Sequence, residues 1–453
     1  MENTCAVILA AGEGKRMRSN KSKVLLEVQL KPMLGWVMDA ITGAGIEDLC
    51  VVTGHRREQV EAYIDGRCET VVQNERKGTG HAVMMAREFL EKHSGGHVLI
   101  CCGDAPFLDS ATIAEAFGQH IEREDSATVI SAVLDDPTGY GRLIRGSRGE
   151  LQAIVEHKEC NNSQLRIQEI NSGAYWFEID SLLRVLDNIK ASSITGEYYL
   201  PDAVKLLIND GKGAGAFIAS SDDVVLGANN PSQLFDLNRM ARDKILSRHI
   251  ANGVAMPCID GIIIGNDVII EDNVTILPGT TLRGHTTIHS GCTIGPHSYI
   301  AESEIGENCV ISLSQVRKSV IMGGTDVGPF SDVRPGSTIG PNVHIGNYVE
   351  VKNSSVGEGT KIAHHTYIGD SDIGSNVNFG CGCVTVNYDG VKKERCVVED
   401  DAFVGCNVNL IAPVKVGNGA YVAAGTTITK DVPQGALAIA REKQVNKEDW
   451  SKK

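Results

Sequence analysis

Along the second half of the chain an aliphatic residue returns at every sixth position: Ile264, Ile270, Ile276, Leu282, Ile288, Ile294 and Ile300. Between them, two places before the next bulky residue, stand small or short ones: Val268, Val274, Thr280, Thr286, Cys292 and Ser298. The phase slips, then resumes as Val327, Val333, Ile339, Ile345, Val351, and again as Val398, Val404, Leu410, Val416, Val422, Ile428. Such a period fits neither a helix nor a plain strand. It fits a short strand plus a turn, stacked coil upon coil as a parallel β-helix. Each coil would bury a bulky and a small side chain, each bulky one contributing roughly 1.5–3 kcal/mol. Gly, Asn and Asp fall at the expected corners (GND, GPH, GPN, GNY, GNG), where tight turns favour them. Single-residue slips are expected at Ile300–Ile305, Val351–Val356 and Ile368–Ile373, and larger interruptions near Arg317–Thr325 and Val386–Arg395.

The first half is patterned differently. Apolar runs at residues 4–10, Leu49–Thr53, Val71–Gln73, Val98–Cys102 and Thr128–Leu134 alternate with helical stretches such as Met33–Ala44 and Gly80–Lys92. Strand–helix alternation predicts a mostly parallel α/β sheet, with ligands beyond the carboxyl ends of its strands. Asn230-Pro231 reads as an N-cap followed by proline at the first helical position. Leu234, Leu237, Ala241 and Ile245 then share one helical face. The expected division is a Rossmann-like domain over 1–229, a linker helix over 230–252 and a β-helix over 253–453.

Charge narrows the partners. In 453 residues, 43 Lys+Arg face 57 Asp+Glu, a net charge of −14. That balance argues against nucleic acid or an anionic membrane surface as partner. No apolar run reaches transmembrane length, and the early one, Cys5–Ala11, lacks the flanks of a signal peptide. The 13 cysteines have no framework spacing, and Cys292, Cys309, Cys383 and Cys396 fall in the small inward slot of the repeat. A reduced, cytoplasmic protein is expected.

Two strand ends in the first half look chemical. Gly12-Glu13-Gly14-Lys15-Arg16 lies in a stretch dense in Lys and Arg (Lys15, Arg16, Arg18, Lys21, Lys23). Glycines let backbone N–H groups approach phosphate, although the segment is neither a dinucleotide fingerprint nor a Walker loop; in an acidic protein the basic cluster suggests an anionic ligand, with a solvated basic turn as the alternative. Asp104 closes the run through Cys102-Gly103 and is placed either to hold a divalent cation or simply to make a turn. In the repeat region, unusual residues cluster beside the breaks: Arg334, Glu350, Lys352, His364, Tyr367, Asn378, Asn387 and Tyr388. Alternation puts His364 on the inward side of its coil, next to a corner. A zinc site at His364, His365, Cys381 and Cys383 is disfavoured, because Cys-x-Cys chelates poorly.

The motifs LAAGEGKRM, QNERKGTGHA, DDPTGYGR, IVEHK, QEINSG, GEYYLPD and GANN resemble sugar-phosphate nucleotidyltransferases. They look most like the N-acetylglucosamine-1-phosphate uridyltransferase half of a bifunctional bacterial family. Its other half is a glucosamine-1-phosphate acetyltransferase, and HHTYIGD resembles the motif carrying that half's base. The resemblance implies a left-handed β-helix of hexapeptide repeats, where the general crossover rule would give right-handed. It implies that Leu9, Ala10, Ala11 and Gly12 line the uridine nucleotide of UTP, and that Arg16 and Lys23 bind phosphate. Gln73, Gly78 and Thr79 would contact uracil; Gly141, Glu156 and Asn171 the sugar. Asp104 and Asn229 would coordinate Mg²⁺, beside Cys102 and Gly103, where the family commonly has an aromatic at the position of Cys102. In the β-helix, His364 would be the base. Arg334, Lys352 and Tyr367 would hold the sugar phosphate, with Glu350 in support. Asn378, Asn387 and Tyr388 would contact sugar or acetyl-CoA; Cys381, Cys406, Ala424 and Arg441 would contact the coenzyme. Cys381 and Cys406 depart from the family's usual Ala and Ser. A homotrimer is implied as well. Two other readings share the architecture: a single-activity sugar nucleotidyltransferase whose β-helix only assembles or regulates it, and a non-enzymatic binding protein.

Overall fold

A computed structural model describes residues 1 and 3–452 of the chain, which divides into two compact units, Met1–Met240 and Ala241–Lys453. In the first unit the main sheet runs, from edge to edge, Ala214–Ile218, Ala127–Val133, Glu169–Glu178, His97–Cys102, Thr4–Leu9, Asp48–Thr53 and Glu69–Val72. All neighbours in this order are parallel except Glu169–Glu178, which runs against both strands beside it there and also against Arg142–Arg145. Side chains alternate between two cores. Cys5, Val7, Val52 and Ile100 pack on one face; Ala6, Ile8, Val51 and Leu99 pack on the other. Burial on both faces is why the strands read as unbroken apolar runs rather than alternating ones.

The single helix expected over Gly80–Lys92 is instead two, Thr79–Met85 and Arg87–Lys92. At Ala86 the backbone leaves the helical region (φ −89, ψ 11), and its N–H bonds one residue short, to the Val83 carbonyl. A tightened turn of this kind separates two helices that a hydrophobic pattern alone joins.

A continuous helix, Pro231–Ala251, begins with the Asn230 side chain accepting the Gln233 N–H at 2.9 Å. The second unit is three sheets of short parallel strands. Successive strands along the chain pass from one sheet to the next, as in Ile263–Ile264, Ile269–Ile270 and Thr275–Ile276, and the fourth pairs with the first. Every bulky residue of the six-residue repeat named above is buried. The small slots take Ser, Thr or Cys interchangeably because their polar atoms reach corner carbonyls: Thr360 Oγ1 to Gly374 O (2.8 Å), Cys292 Sγ to Gly306 O (3.0 Å). Asn273, Asn308 and Asn342 hold left-handed corners that asparagine tolerates.

One expected interruption is not there. Around Arg317–Thr325 the strands Gln315–Arg317, Val320–Ile321 and Asp326–Val327 follow without a loop. The coil sides are merely shorter, which broke the period without breaking the stack. A true loop follows Val384–Val386 of one sheet and runs to Cys396–Val398 of the next.

Candidate active sites

In the first unit, Thr4–Leu9 and His97–Cys102 pair in register, so Leu9 and Cys102 end side by side at the carboxyl edge. The Gly103 N–H bonds back to the Leu9 carbonyl at 2.9 Å and turns Asp104 outward from the strand. Beyond this edge opens a cleft of about 700 Å³ lined by Leu9, Gly12, Lys23, Gln73, Gly78 and Asp104 among others. Leu9, Thr79, Cys102 and Glu156 also line a lobe of about 180 Å³ that holds Gly141 and Asn171. Ala10 is buried beneath the cleft, and Arg16 is exposed on the short turn Lys15–Met17, outside the lining residues.

The far wall is zipped to the chain around Tyr198. Gly80 N–H reaches Tyr198 O at 2.8 Å, and Tyr198 N–H reaches Lys77 O at 2.7 Å. Gly78 sits between them at φ +102, where a Cβ would lie 2.5 Å from the Tyr198 carbonyl. No other residue fits there without displacing backbone. Buried Gln73 braces the turn, its Nε2 donating to Gly78 O at 3.0 Å. In the lobe a register shift between Asn171 and Ala174 swings Asn171 toward Tyr175, whose hydroxyl accepts its amide at 2.6 Å. Burial pushes the Glu156 carboxyl up, helped by Glu159, Glu197 and Asp202. Burial, with Asp104 nearby, pushes the Cys102 thiol up to about 12.

The Lys23 ammonium is the centre of charge. It forms an ion pair with Asp104 and donates to Asn229 Oδ1 at 2.7 Å. Two hard oxygen donors therefore converge on one cation. That donor chemistry fits Mg²⁺, which keeps several waters and takes its remaining ligands from phosphate. Lys15, Arg76, Glu13, Glu197 and Tyr199 also line the cleft. Arg76 and Glu197 went unremarked in the sequence, although they stand inside quoted motifs.

In the second unit the site residues form columns along the stack. His364 is exposed, not inward as alternation placed it. The chain turns directly after it: His365 is left-handed (φ 43) and Thr366 takes the small slot, its hydroxyl donating to the His364 carbonyl at 2.7 Å. The ring instead lies over the preceding coil, with Nδ1 2.7 Å from Asn347 Oδ1. Since an amide oxygen only accepts, that contact puts a proton on Nδ1, and in the neutral ring the lone pair is then on Nε2. Asn347 pairs with His364 in the ladder, but its motif, GNY, reads only as a corner in sequence.

On the adjoining sheet Glu350 and Tyr367 are register neighbours, as are Lys352 and Gly369. Arg334 Nη1 meets Glu350 Oε1 at 2.6 Å. The loop returns Asn387 to the site, where its buried amide bonds Asp370 and reaches the Tyr367 hydroxyl at 3.4 Å. Burial pushes the Asp370 carboxyl up, yet the Asn353 and Asn387 amides and nearby lysines hold it below its ordinary value. Tyr388 is exposed on the same loop. Asn378 lies beside Lys361 one coil on. Arg441 Nη1 donates to the Ala424 carbonyl at 2.5 Å. Cys383 donates inward to Gly405 O at 3.0 Å, while His364, His365 and Cys381 are exposed.

Family models match both units. A MobA-like NTP transferase domain covers residues 6–162. Bacterial transferase hexapeptide repeats cover 267–302 and 395–430, and a GlmU-like C-terminal hexapeptide region covers 286–392. A bifunctional protein GlmU of Acetivibrio thermocellus is 46% identical over 450 residues, 99% of this chain and 97% of that one. One of Thermoanaerobacter pseudethanolicus is 46% identical over 451 residues, covering 99% and 98%. One of Clostridium botulinum is 45% identical over 447 residues, covering 98% and 97%. With a nucleotidyltransferase sheet in its first unit and a left-handed β-helix of hexapeptide repeats in its second, this chain belongs to the GlmU family of bifunctional proteins.

Proposed function

We propose that the chain makes UDP-N-acetylglucosamine in two steps. The β-helix acetylates glucosamine 1-phosphate from acetyl-CoA, and the first unit then joins N-acetylglucosamine 1-phosphate to UTP with release of pyrophosphate. The supporting observation is the end-to-end match to bifunctional relatives, which spans both sites in one chain. Residues 1–229 would carry uridylyl transfer and 253–453 acetyl transfer, joined by the helix at 230–252.

Acetyl transfer needs a neutral amine at the thioester carbonyl. His364 Nε2, the free acceptor of a ring fixed by Asn347, takes the amine proton as the C–N bond forms, and the coenzyme thiolate leaves. Arg334 and Lys352 hold the sugar phosphate. Arg334 is held by Glu350, and Tyr367 accepts from Asn387. Cys381, Cys406, Ala424 and Arg441 would border the coenzyme.

Uridylyl transfer needs no general base, because a phosphate monoester is already a nucleophile. The barrier lies in bringing two polyanions together. Asp104 and Asn229 would hold Mg²⁺, which would supply charge neutralisation on the phosphates. Lys23, released from Asp104, would turn to the nucleotide phosphates together with Arg16, while Gln73, Gly78 and Thr79 set the base and Gly141, Glu156 and Asn171 the sugar. We further propose a homotrimer in the cytoplasm. The flat faces of the prism suit side-by-side packing, and among the described residues no helix is long and apolar enough to cross a membrane.

The two half-reactions, assayed separately with glucosamine 1-phosphate plus acetyl-CoA and with N-acetylglucosamine 1-phosphate plus UTP, test the whole reading. Wild type should yield acetylated sugar phosphate and pyrophosphate; His364→Ala should lose the first product only, and Asp104→Ala the second only. If either substitution abolishes both, or neither, the two-site assignment fails.

A further inference from the structure

Continuing the ladder from Phe379 opposite Val404 brings Cys381 opposite Cys406, in the column that holds His364. We propose that these two cysteines are a redox-modification site, in which a small disulfide of the coenzyme A class converts them to an intrachain Cys381–Cys406 bridge that shuts the acyl-donor end of the β-helix site. This rests on reading that end as the acetyl-CoA site.

The backbone places the pair as direct neighbours. Asn407 N–H bonds the Cys381 carbonyl at 2.8 Å, and a Cβ built on Gly380 would fall 2.9 Å from the Cys406 Cα. Adjacent strands of a sheet lie about 4.8 Å apart, inside the Cα separation of about 4.4–6.8 Å that a disulfide bridges. Both thiols are free and exposed. A second register pair, Cys292 and Cys309, is a natural contrast. It is buried in the prism, its sulfurs bonded to the Gly306 and Met322 carbonyls. Cys383, between the proposed pair in sequence, is also buried, and its thiol is pushed up to about 11. Accessibility thus singles out Cys381 and Cys406 on this edge of the stack.

The chemistry supplies its own oxidant class. A site that consumes acetyl-CoA releases the free coenzyme thiol, and the oxidised form of that thiol keeps the nucleotide handle that the site binds. One cysteine thiolate attacks a sulfur of the coenzyme disulfide, forming a mixed disulfide and expelling one coenzyme thiolate. The other cysteine attacks the protein-side sulfur and expels the second. Two protein thiols lose two electrons between them, one small disulfide gains two, and the two cysteine protons end on the released coenzyme thiols. Neither Cys381 nor Cys406 has an assigned role in proton transfer, so the bridge acts by blocking and stiffening the edge next to His364.

The test uses the full chain, reduced or treated with coenzyme A disulfide, with glutathione disulfide as a parallel arm. Intact mass and peptide mapping read the bridge, and acetylated sugar phosphate and pyrophosphate read the two activities. The expected result is a loss of two hydrogen masses, a Cys381–Cys406 cross-linked peptide, and about tenfold or greater loss of acetyl transfer restored by dithiothreitol. Pyrophosphate release should be unchanged. Coenzyme A disulfide should act at lower concentration than glutathione disulfide; equal potency overturns the coenzyme-class assignment. In the double variant Cys381→Ala/Cys406→Ser, acetyl transfer before and after treatment should be equal, whatever the variant's own rate. Persistent loss in that variant, a stable mixed disulfide without the bridge in the unsubstituted chain, or loss of both activities together overturns the proposal. A reduced protein that acetylates but never bridges overturns this inference alone. A protein that bridges but does not acetylate when reduced overturns the acetyltransferase reading as well.

Discussion

The contact between His364 and Asn347 can be weighed by a double-mutant cycle. His364→Ala removes the proposed base, and general-base catalysis is typically worth 10²- to 10⁴-fold, or about 3–5 kcal/mol. Asn347→Ala leaves the base but removes the 2.7 Å partner that fixes its tautomer and tilt. The site is open to water, so the loss should be that of one ordinary hydrogen bond, about 0.5–1.5 kcal/mol. That converts to a two- to twelvefold fall in acetyl transfer, roughly. If Asn347 works only through the ring, removing it after His364 is gone should cost nothing, and the coupling energy should equal the full single-mutant effect. The assay is initial-rate formation of acetylated sugar phosphate by the four proteins. Pyrophosphate release from the other unit serves as a folding control within each molecule. An Asn347→Ala penalty of the same size in the His364→Ala background would refute the positioning role. An unchanged rate for His364→Ala would refute the base.

Three further outcomes are expected. Asp104→Ala should lower pyrophosphate release about 10²-fold or more, because a charge that stabilises the transferring phosphates is lost; Mn²⁺ binding followed by electron paramagnetic resonance should weaken in parallel, and an unchanged Mn²⁺ affinity would count against Asp104 as ligand. Gly78→Ala forces a Cβ into the Tyr198 carbonyl at a left-handed φ and should cost about 3 kcal/mol, read as a lower denaturation midpoint together with weaker nucleotide binding. His249 is buried on the long helix, and neither ring nitrogen has a hydrogen-bond partner among the described residues. Burial, with Arg248 beside it, pushes its imidazole down to about 4 from an ordinary 6.5. Because the folded value is the lower one, the unfolded chain takes up the proton first. The stability is therefore whole above pH 6.5 and is lost as pH falls toward 4, on the order of 3 kcal/mol at most. His249→Leu should flatten that limb of a denaturation-against-pH curve; an unaltered acid limb would show that other groups set it.

The β-helix was legible because its core is periodic: each aliphatic residue from Ile264 to Ile300 is buried where the repeat put it. The run around Arg317–Thr325 was not, since shortened coil sides keep the stack but lose the phase. The break at Ala86 depends on one backbone turn, and hydrophobic spacing does not register it. His364 was singled out by motif, yet it is exposed where alternation placed it inward, because strand alternation ends where a corner begins. Asn347 was invisible for a related reason. Its partner lies a full coil away, and a corner asparagine looks like any other until the ladder pairs it with His364. The convergence of Lys23, Asp104 and Asn229 joins residues from the two ends of the first unit, which no local pattern connects.

A stack of coils is stabilised by contacts between each coil and its two neighbours, so it comes apart from a free end rather than all at once. Among the described residues, Leu437–Ala438 is the last strand of its sheet and pairs only with Tyr421–Val422. Ala424 and Arg441 sit in those last turns, whereas Arg334, Glu350 and His364 lie several coils deeper. Mild heating or dilute denaturant would thus loosen the proposed coenzyme contacts while the proposed sugar-phosphate contacts are still intact, so that the Michaelis constant for one substrate rises well before that for the other.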